Sequence, residues 1–451
     1  MLGIVVWHQW LLLAAYVALS FVVQRNFSNV PYIRLFTFSL GVVALSLWWF
    51  FRSRYRLRVY RSPVANLLIV LSFVWLLMGA AVNEITPYIA TDWFFFIGAL
   101  TVSLIARSLW RTYLVSGHIG PNECRLPNSL LATISILLAT QQWTGVWLGP
   151  AFAFFLLSDL GARVMLQQAR SWHIVVASGA CLIAAINSNR SFLLSVISAT
   201  ILIVSFGFMK SRDYKLATLV MFALVIPLGL SAVMDFAATQ KPDSSIARRL
   251  NETSIAIATI TGGGRLEDMP IAMYQRVYEA EQVLLNTFSL DPRNPLIPIL
   301  GHGFGALMDM TMSNDKSVTN SAQLGAAQVH NIHFLPFMII FRFGVIGLLL
   351  FGYFYLNLFR QLLSYLDSTT CHNNSFFRYA HAYRFGALVF VFSNLAYSMQ
   401  AASTIFDSTS FFIAAGILSY PIERLASSRR RPIRTHRLDS EIGASHLPGT
   451  F

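Results

Sequence analysis

The sequence predicts an all-α polytopic membrane protein of about twelve transmembrane helices, both termini cytoplasmic, with one large outer loop carrying short helices. Three observations predict it. Of 451 residues, 55% are hydrophobic and only 12% charged, about half the charged share of an ordinary soluble chain. The apolar residues come mostly in blocks of roughly 16–22, enough to cross about 30 Å of hydrocarbon as helices, without the polar faces a soluble chain would need. The short polar connections between blocks are basic on one side and nearly bare of basic residues on the other.

The first blocks have cores at Leu11–Val23 and Leu35–Phe51. The opening MLGIVVWHQW lacks a positive n-region and a cleavage site, so it reads as the start of a retained first span. After the basic cluster Arg52, Arg54, Arg56, Arg58 and Arg61 come Val64–Val82 and Trp93–Ala106. Ser129–Gly161 is apolar but interrupted by Gln141-Gln142-Trp143-Thr144-Gly145. It reads as a hairpin of two short spans or as one long tilted helix, which periodicity does not separate. Ile174–Ile186 and Phe192–Met209 flank a tight polar turn, and Leu216–Met234 completes an amino-terminal region, 1–234, of about nine spans.

Residues 235–332 are the one long hydrophilic stretch, too long for a connector, so function is expected there. Ser244–Leu250 suits a short helix, and Thr261-Gly-Gly-Gly264 a flexible link. Asp268-Met-Pro270 suits a helix start. An amphipathic helix then runs to about Asn286, with an apolar stripe of Ile271, Tyr274, Val277, Tyr278, Leu284 and Leu285. Asp291–Pro295 and Gly301–Gly305 read as turns or loop, and polar sequence leads on to His330-Asn331. Residues 333–424 return about three spans, with cores at Phe343–Phe359, Phe385–Ser398 and Phe411–Leu418. The remainder, 425–451, is a basic tail expected to be disordered in the cytoplasm.

Charge orients this arrangement. With the hairpin counted as two spans, the loops and tail on the side of the termini hold 22 of the 33 Lys and Arg, against 3 in the short loops opposite. Counted as one span, the arginine-rich tail would be exported, which disfavours that option. Residues 235–330 carry 7 basic and 10 acidic residues, a charge of −3, so the rest of the chain carries +16 against the net +13. The excess is topological and suits the anionic inner leaflet. No nucleic-acid partner is expected, because no aromatic array interleaves with the basic residues. Cys124, Cys181 and Cys371 fall inside or within a span, so neither a structural disulfide nor a metal site is expected.

Ionisable groups at membrane depth or at the outer surface are costly and therefore candidates for chemistry. Arg190, in Asn187-Ser188-Asn189-Arg190-Ser191, lies in a tight turn on the side of the long loop. Snorkelling to headgroups explains it equally well. Arg342 reads as a plain interfacial anchor, and Arg265 and Arg276 as loop arginines that are solvated or functional. His330 and His333 stand where the loop re-enters the membrane. Spaced by three, they could share a helical face and bind metal, but no third ligand accompanies them. His302, between two glycines, is open to either reading. Glu267-Asp268 is more simply a feature of a helix start. No nucleotide-binding loop, nucleophile elbow or zinc-protease motif is present, and no cofactor is expected.

Taken in order, the Ser-x-Arg turn, the long outer loop with an arginine on its helix, Pro298-Ile-Leu-Gly-His-Gly303, His330-Asn331 and Arg342-Phe-Gly344-Val-Ile-Gly347 resemble the O-antigen ligase and Wzy-type O-antigen polymerase superfamily. The resemblance covers roughly Ile183–Phe351. It implies an inverting, metal-independent glycosyl transfer on the periplasmic face of the bacterial inner membrane. The donor it implies is an oligosaccharide on undecaprenyl pyrophosphate; other polysaccharide assembly proteins, such as a flippase or a chain-length regulator, are implied as partners. On this resemblance Arg190 and Arg276 bind the pyrophosphate, with Arg265 the rival of Arg276, and His330 acts on the acceptor hydroxyl. Asn331, His302 and Gly303 fall in its substrate-binding motifs. The tract NSNRSF departs from the commoner form with glycine after the arginine.

The residue types suit that chemistry. Planar, permanently charged guanidinium groups stabilise a departing pyrophosphate, and a histidine near neutrality accepts a hydroxyl proton. Polymerase and ligase share this chemistry and differ in acceptor, and divergent motifs favour the polymerase. A flippase or other transporter of lipid-linked oligosaccharide would need ionisable groups near the midplane and matched halves. The spans read as nearly free of charge, and the halves show no similarity. A non-enzymatic assembly subunit is the third reading, opposed only by the Arg/His set.

Overall fold

Proline and small polar residues set where the helices begin. Pro63, Pro87 and Pro150 each stand first in a helix, where the missing N–H costs nothing and the fixed φ suits the turn. The computed structural model describes residues 39–40, 42–43, 63–83, 85–116, 125–144, 148, 150–186, 190–211, 271–289, 294–309, 328–330, 332–367, 375–399 and 409–420. The described chain is almost wholly helical. In order it forms α1 (Pro63–Val82), α2 (Pro87–Ser116), α3 (Asn128–Thr144), α4 (Pro150–Met165), α5 (Ser171–Ile186) and α6 (Arg190–Ser211). After the undescribed residues come α7 (Ile271–Phe288), α8 (Ile297–Leu300), β1 (Met308–Asp309), β2 (Gln328–Val329), α9 (Leu335–Asp367), α10 (Ser375–Ser398) and α11 (Thr409–Leu418). The expected blocks at Leu11–Val23 and Leu216–Met234, most of Leu35–Phe51, the Ser244–Leu250 helix and the tail lie outside the described residues.

Among the described residues, three helices are long and apolar enough to cross a membrane, over Val64–Val82, Pro87–Arg111 and Leu335–Gln361. Shorter apolar helices occupy Asn128–Gln141, Ser171–Ala185 and Ser191–Gly207. The polar interruption in Ser129–Gly161 separates two helices, α3 and α4. Gln141 turns back there, its Oε1 accepting the Leu148 N–H at 3.3 Å, and Pro150 opens the next helix. The core is built by α10 packing on α4 and α6, α11 on α2, α3 on α5, and α7 and α8 on α9.

Charge inside the helices is greater than the sequence suggested. Asp159 and Arg163, one turn apart on α4, are both buried and paired at 2.6 Å. The Arg163 guanidinium also reaches Asn128 Oδ1 at the start of α3, His173 Nε2 on α5 and the Leu126 carbonyl. Asp159 accepts the Leu126 N–H at 2.6 Å. Beyond the pair itself, these bonds tie α4 to the start of α3, to the segment before it and to α5, which is how a buried ion pair is tolerated. Arg384 on α10 does similar work, donating to Gln361 of α9 and to the Leu418 carbonyl of α11.

Two features of the loop and its return govern the site. A two-residue antiparallel pair, Met308 with Val329 and Asp309 with Gln328, closes the segment between them and delivers His330. Helix α9 starts at Leu335, earlier than the apolar block suggests, and is kinked at Gly344, whose φ of 60° and ψ of −159° are not helical. A continuous helix would use the Phe341 and Arg342 carbonyls four residues on. Here they accept the His302 N–H at 2.8 Å and the Gly303 N–H at 2.9 Å.

Candidate functional site

The site is assembled around a loop of alternating glycines, Gly301-His-Gly-Phe-Gly305, threaded between the ends of α1, α2 and α9. All three glycines have positive φ, from 74° to 80°. At Gly303 the need is acute, because a Cβ there would fall on the backbone of Trp75 and Gly79 in α1. The loop N–H groups are all paired. His302 and Gly303 donate to α9, Phe304 donates to the Trp75 carbonyl, and Gly305 donates to Asp92 Oδ2 at 2.9 Å. Asn83, just past α1, holds the His302 carbonyl at 2.8 Å. Phe304, Phe96 and Phe343 surround Trp75 as tilted and edge-on aromatic partners, giving the thread a rigid bed.

Asp92, in the second turn of α2, is the hub. Its Oδ2 accepts from Gly305 and from Arg342 Nη1 at 3.1 Å, while its Oδ1 faces His330 Nε2 at 3.2 Å. Arg342 Nη2 donates to the His330 carbonyl at 2.8 Å and lies 3.2 Å from Nε2. Tyr88, half exposed one turn before Asp92, stacks on the His330 ring at 4.3 Å. Because the Arg342 donor is satisfied by the carbonyl and Asp92 Oδ1 needs a donor, the favoured tautomer carries its proton on Nε2. The lone pair then resides on Nδ1, which is buried and has no partner among the described residues.

The expectation that Arg342 is a plain interfacial anchor is therefore corrected: its side chain is only 6% exposed and is fixed by two acceptors. The expectation that the spans are nearly free of charge is corrected by Asp92, Arg342 and the Asp159–Arg163 pair. His330 and His333 do not share a helical face. Both precede α9, and they address different carboxylates. His333 presents its backbone N–H to Glu279 Oε1 at 2.8 Å and its Nδ1 to Oε2 at 3.0 Å, which ties α7 to the start of α9. Among the described residues no three His, Cys, Asp or Glu cluster as metal ligands.

The remaining sequence candidates fall as follows. His302 and Gly303 wrap around Arg342 through the backbone bonds above. The His302 ring lies against Phe341 at 4.4 Å. Burial pulls its pKa below the usual imidazole value, opposed by a hydrogen bond to the Asn286 carbonyl. Arg276 is half-buried on α7; burial lowers its pKa, and the charge of Glu279 works against that. Arg190 opens α6, but its side chain lies outside the described residues, as do Arg265 and Asn331 altogether. The structure thus joins His330, His302 and Gly303 into one constellation with Asp92 and Arg342, neither of which the sequence reading chose. A signal for both was present, since each is an ionisable residue within or beside a strongly apolar block. No family model matches the chain, and no curated protein matches its sequence.

Proposed function

We propose that this protein is a polysaccharide polymerase of the bacterial inner membrane. It transfers a glycan from an undecaprenyl-pyrophosphate donor to a sugar hydroxyl of a second lipid-linked glycan, on the periplasmic face. The frame is about twelve spans with both termini inside, supported by the basic asymmetry of the loops. The order of motifs across roughly Ile183–Phe351 supports the reaction class. The observation that carries the reading is the meeting of His330 with Asp92 and Arg342 at the ends of membrane-length helices.

In this reaction Asp92 holds the proton on His330 Nε2, which leaves Nδ1, buried in the free protein, as the base for the acceptor hydroxyl once acceptor binding opens a path to it. The hydroxyl oxygen attacks the anomeric carbon from the face opposite the leaving group, which inverts the centre. The sugar–phosphate bond breaks, and undecaprenyl pyrophosphate departs with the bonding electrons. At that moment His330 and Arg342 bring two positive charges against one carboxylate, an excess that a nearby pyrophosphate neutralises. Arg342 itself is engaged with Asp92 and the His330 carbonyl, so the bidentate grip on phosphate falls to Arg190 and Arg276, with Arg265 the rival of Arg276.

The test is transfer by purified protein in lipid vesicles supplied with a lipid-linked oligosaccharide. Wild type should build longer lipid-linked chains, and Arg190→Lys should lose most activity although charge is retained. Normal chain growth in both Arg190→Lys and Arg190→Ala, at normal protein level, removes Arg190 from the site. Transfer only to a lipid A-core acceptor makes the protein a ligase. Movement of the donor across the bilayer with no lengthening makes it a flippase.

A further inference from the structure

Helix α7 is built inside out for an aqueous surroundings. Over Arg276–Phe288 the face turned to the protein holds Glu279, Gln282 and Thr287 beside Val283, all buried. The opposite face presents Val277, Leu284, Leu285 and Phe288, between 42% and 56% exposed. A surface helix in water turns its apolar stripe inward and its polar residues out. A helix in contact with lipid does the reverse, keeping its ionisable groups on the protein side, where partners exist. Glu279 has such partners in the backbone N–H and the ring of His333.

The exposed apolar surface does not stop at α7. Leu296 and Ile299, in and beside α8, are about half exposed. Ile299 abuts Gly344 of α9 through its backbone. From there Val345, Leu349 and Leu356 carry the exposed apolar ridge down a helix long and apolar enough to cross a membrane. We infer that α7 is not a solvated loop helix but lies in the bilayer, its Val277–Phe288 face in contact with the acyl chains of the leaflet at the His330 end of the helices. The exposed Glu281, on the same face, limits its depth to the boundary of acyl chains and headgroups, where a carboxylate still reaches polar surroundings. Helix α7 then forms the membrane-side wall of the segment that carries His330 and His333, and a lipid-borne ligand would reach the site laterally. The inference needs only that α9 spans a bilayer; it does not depend on the transfer chemistry.

The experiment uses the full chain in nanodiscs of phosphatidylethanolamine and phosphatidylglycerol, with Cys124, Cys181 and Cys371 replaced. Single nitroxide labels are placed at Leu284→Cys, Leu285→Cys and Phe288→Cys, with Leu349→Cys as the lipid reference and Ser427→Cys as the aqueous one. Collision rates with oxygen and with a water-soluble nickel chelate are read by electron paramagnetic resonance. The three α7 sites should follow Leu349, with an oxygen-to-nickel ratio several-fold above that at Ser427. Nickel-dominated collisions at α7, with Leu349 still lipid-like, would put the helix in water and overturn the inference. Low rates with both reagents would show a protein cover, such as a second copy of the chain, and overturn it as well. A nickel-accessible Leu349 would remove the span on which the inference rests.

Discussion

Asp92 and His330 are 238 positions apart in sequence and 3.2 Å apart in the fold. What holds them there is a charge balance. One carboxylate answers a buried guanidinium, a loop N–H and an imidazole, so removing it harms more than one contact. Asp92→Asn leaves Arg342 buried and unpaired, and breaking such a pair costs about 3–5 kcal/mol. Arg342→Met should cost a similar amount, and the double variant should be less destabilised than the two added together. A coupling energy above about 1 kcal/mol in unfolding measurements in detergent supports the pair, and strict additivity refutes it. The two histidines should part company. His330→Ala should slow glycan transfer by roughly 10²–10⁴-fold, as for loss of a general base, with donor binding kept. His333→Ala instead keeps the backbone N–H on Glu279 Oε1 but strips the ring from Oε2, and should appear chiefly as lost stability, about 1–3 kcal/mol. Equal losses of transfer at both positions, or loss restored by added metal, would remove His330 from the acid–base role.

At the scale of elements, the loop of alternating glycines and the kink at Gly344 form one device. The kink releases two carbonyls of α9, the loop supplies two N–H groups to them, and the loop's third glycine anchors Asp92. Gly303→Ala should destabilise strongly. The positive φ costs about 1–2 kcal/mol for an alanine, and intrusion into the α1 backbone adds about 1–3 kcal/mol. Gly352→Ala is the control. Its Cβ would meet nothing within 4 Å, and replacing a mid-helix glycine is worth roughly 0.5–1 kcal/mol in favour of the helix. Thermal unfolding should therefore move in opposite directions for the two variants. Parallel shifts would mean that the tight approach of loop and helix is not maintained in the protein.

For the whole molecule, the distribution of basic residues makes a prediction about sidedness. Ser244→Cys and Thr319→Cys should react with an impermeant thiol reagent added outside intact cells, and Ser427→Cys should not. These positions lie outside the described residues, so the prediction rests on the 22-to-3 count alone. Labelling of the tail from outside, with the loop protected, would invert the proposed topology and carry the site to the other face of the membrane.

Sequence alone determined the helical class, the blocks that became α1, α2, α6 and α9, the break between α3 and α4, and the presence of a helix at 271–288. Each of these is a local property: an apolar run, a proline or a polar interruption acts over one or two turns, and periodicity records it. It also brought forward His330 and the glycines around His302, because residue types of that kind are conspicuous beside apolar spans. Tertiary structure decided what those residues meet. In the sequence Arg342 reads as a plain interfacial anchor and Asp92 is not singled out; the packing of α1, α2 and α9 brings them into one hydrogen-bond network. It likewise decided which way α7 faces. A stripe of apolar residues on a helix has the same period whichever way it turns, and only the packed fold shows Glu279, Gln282 and Thr287 on the protein side with Val277, Leu284, Leu285 and Phe288 exposed.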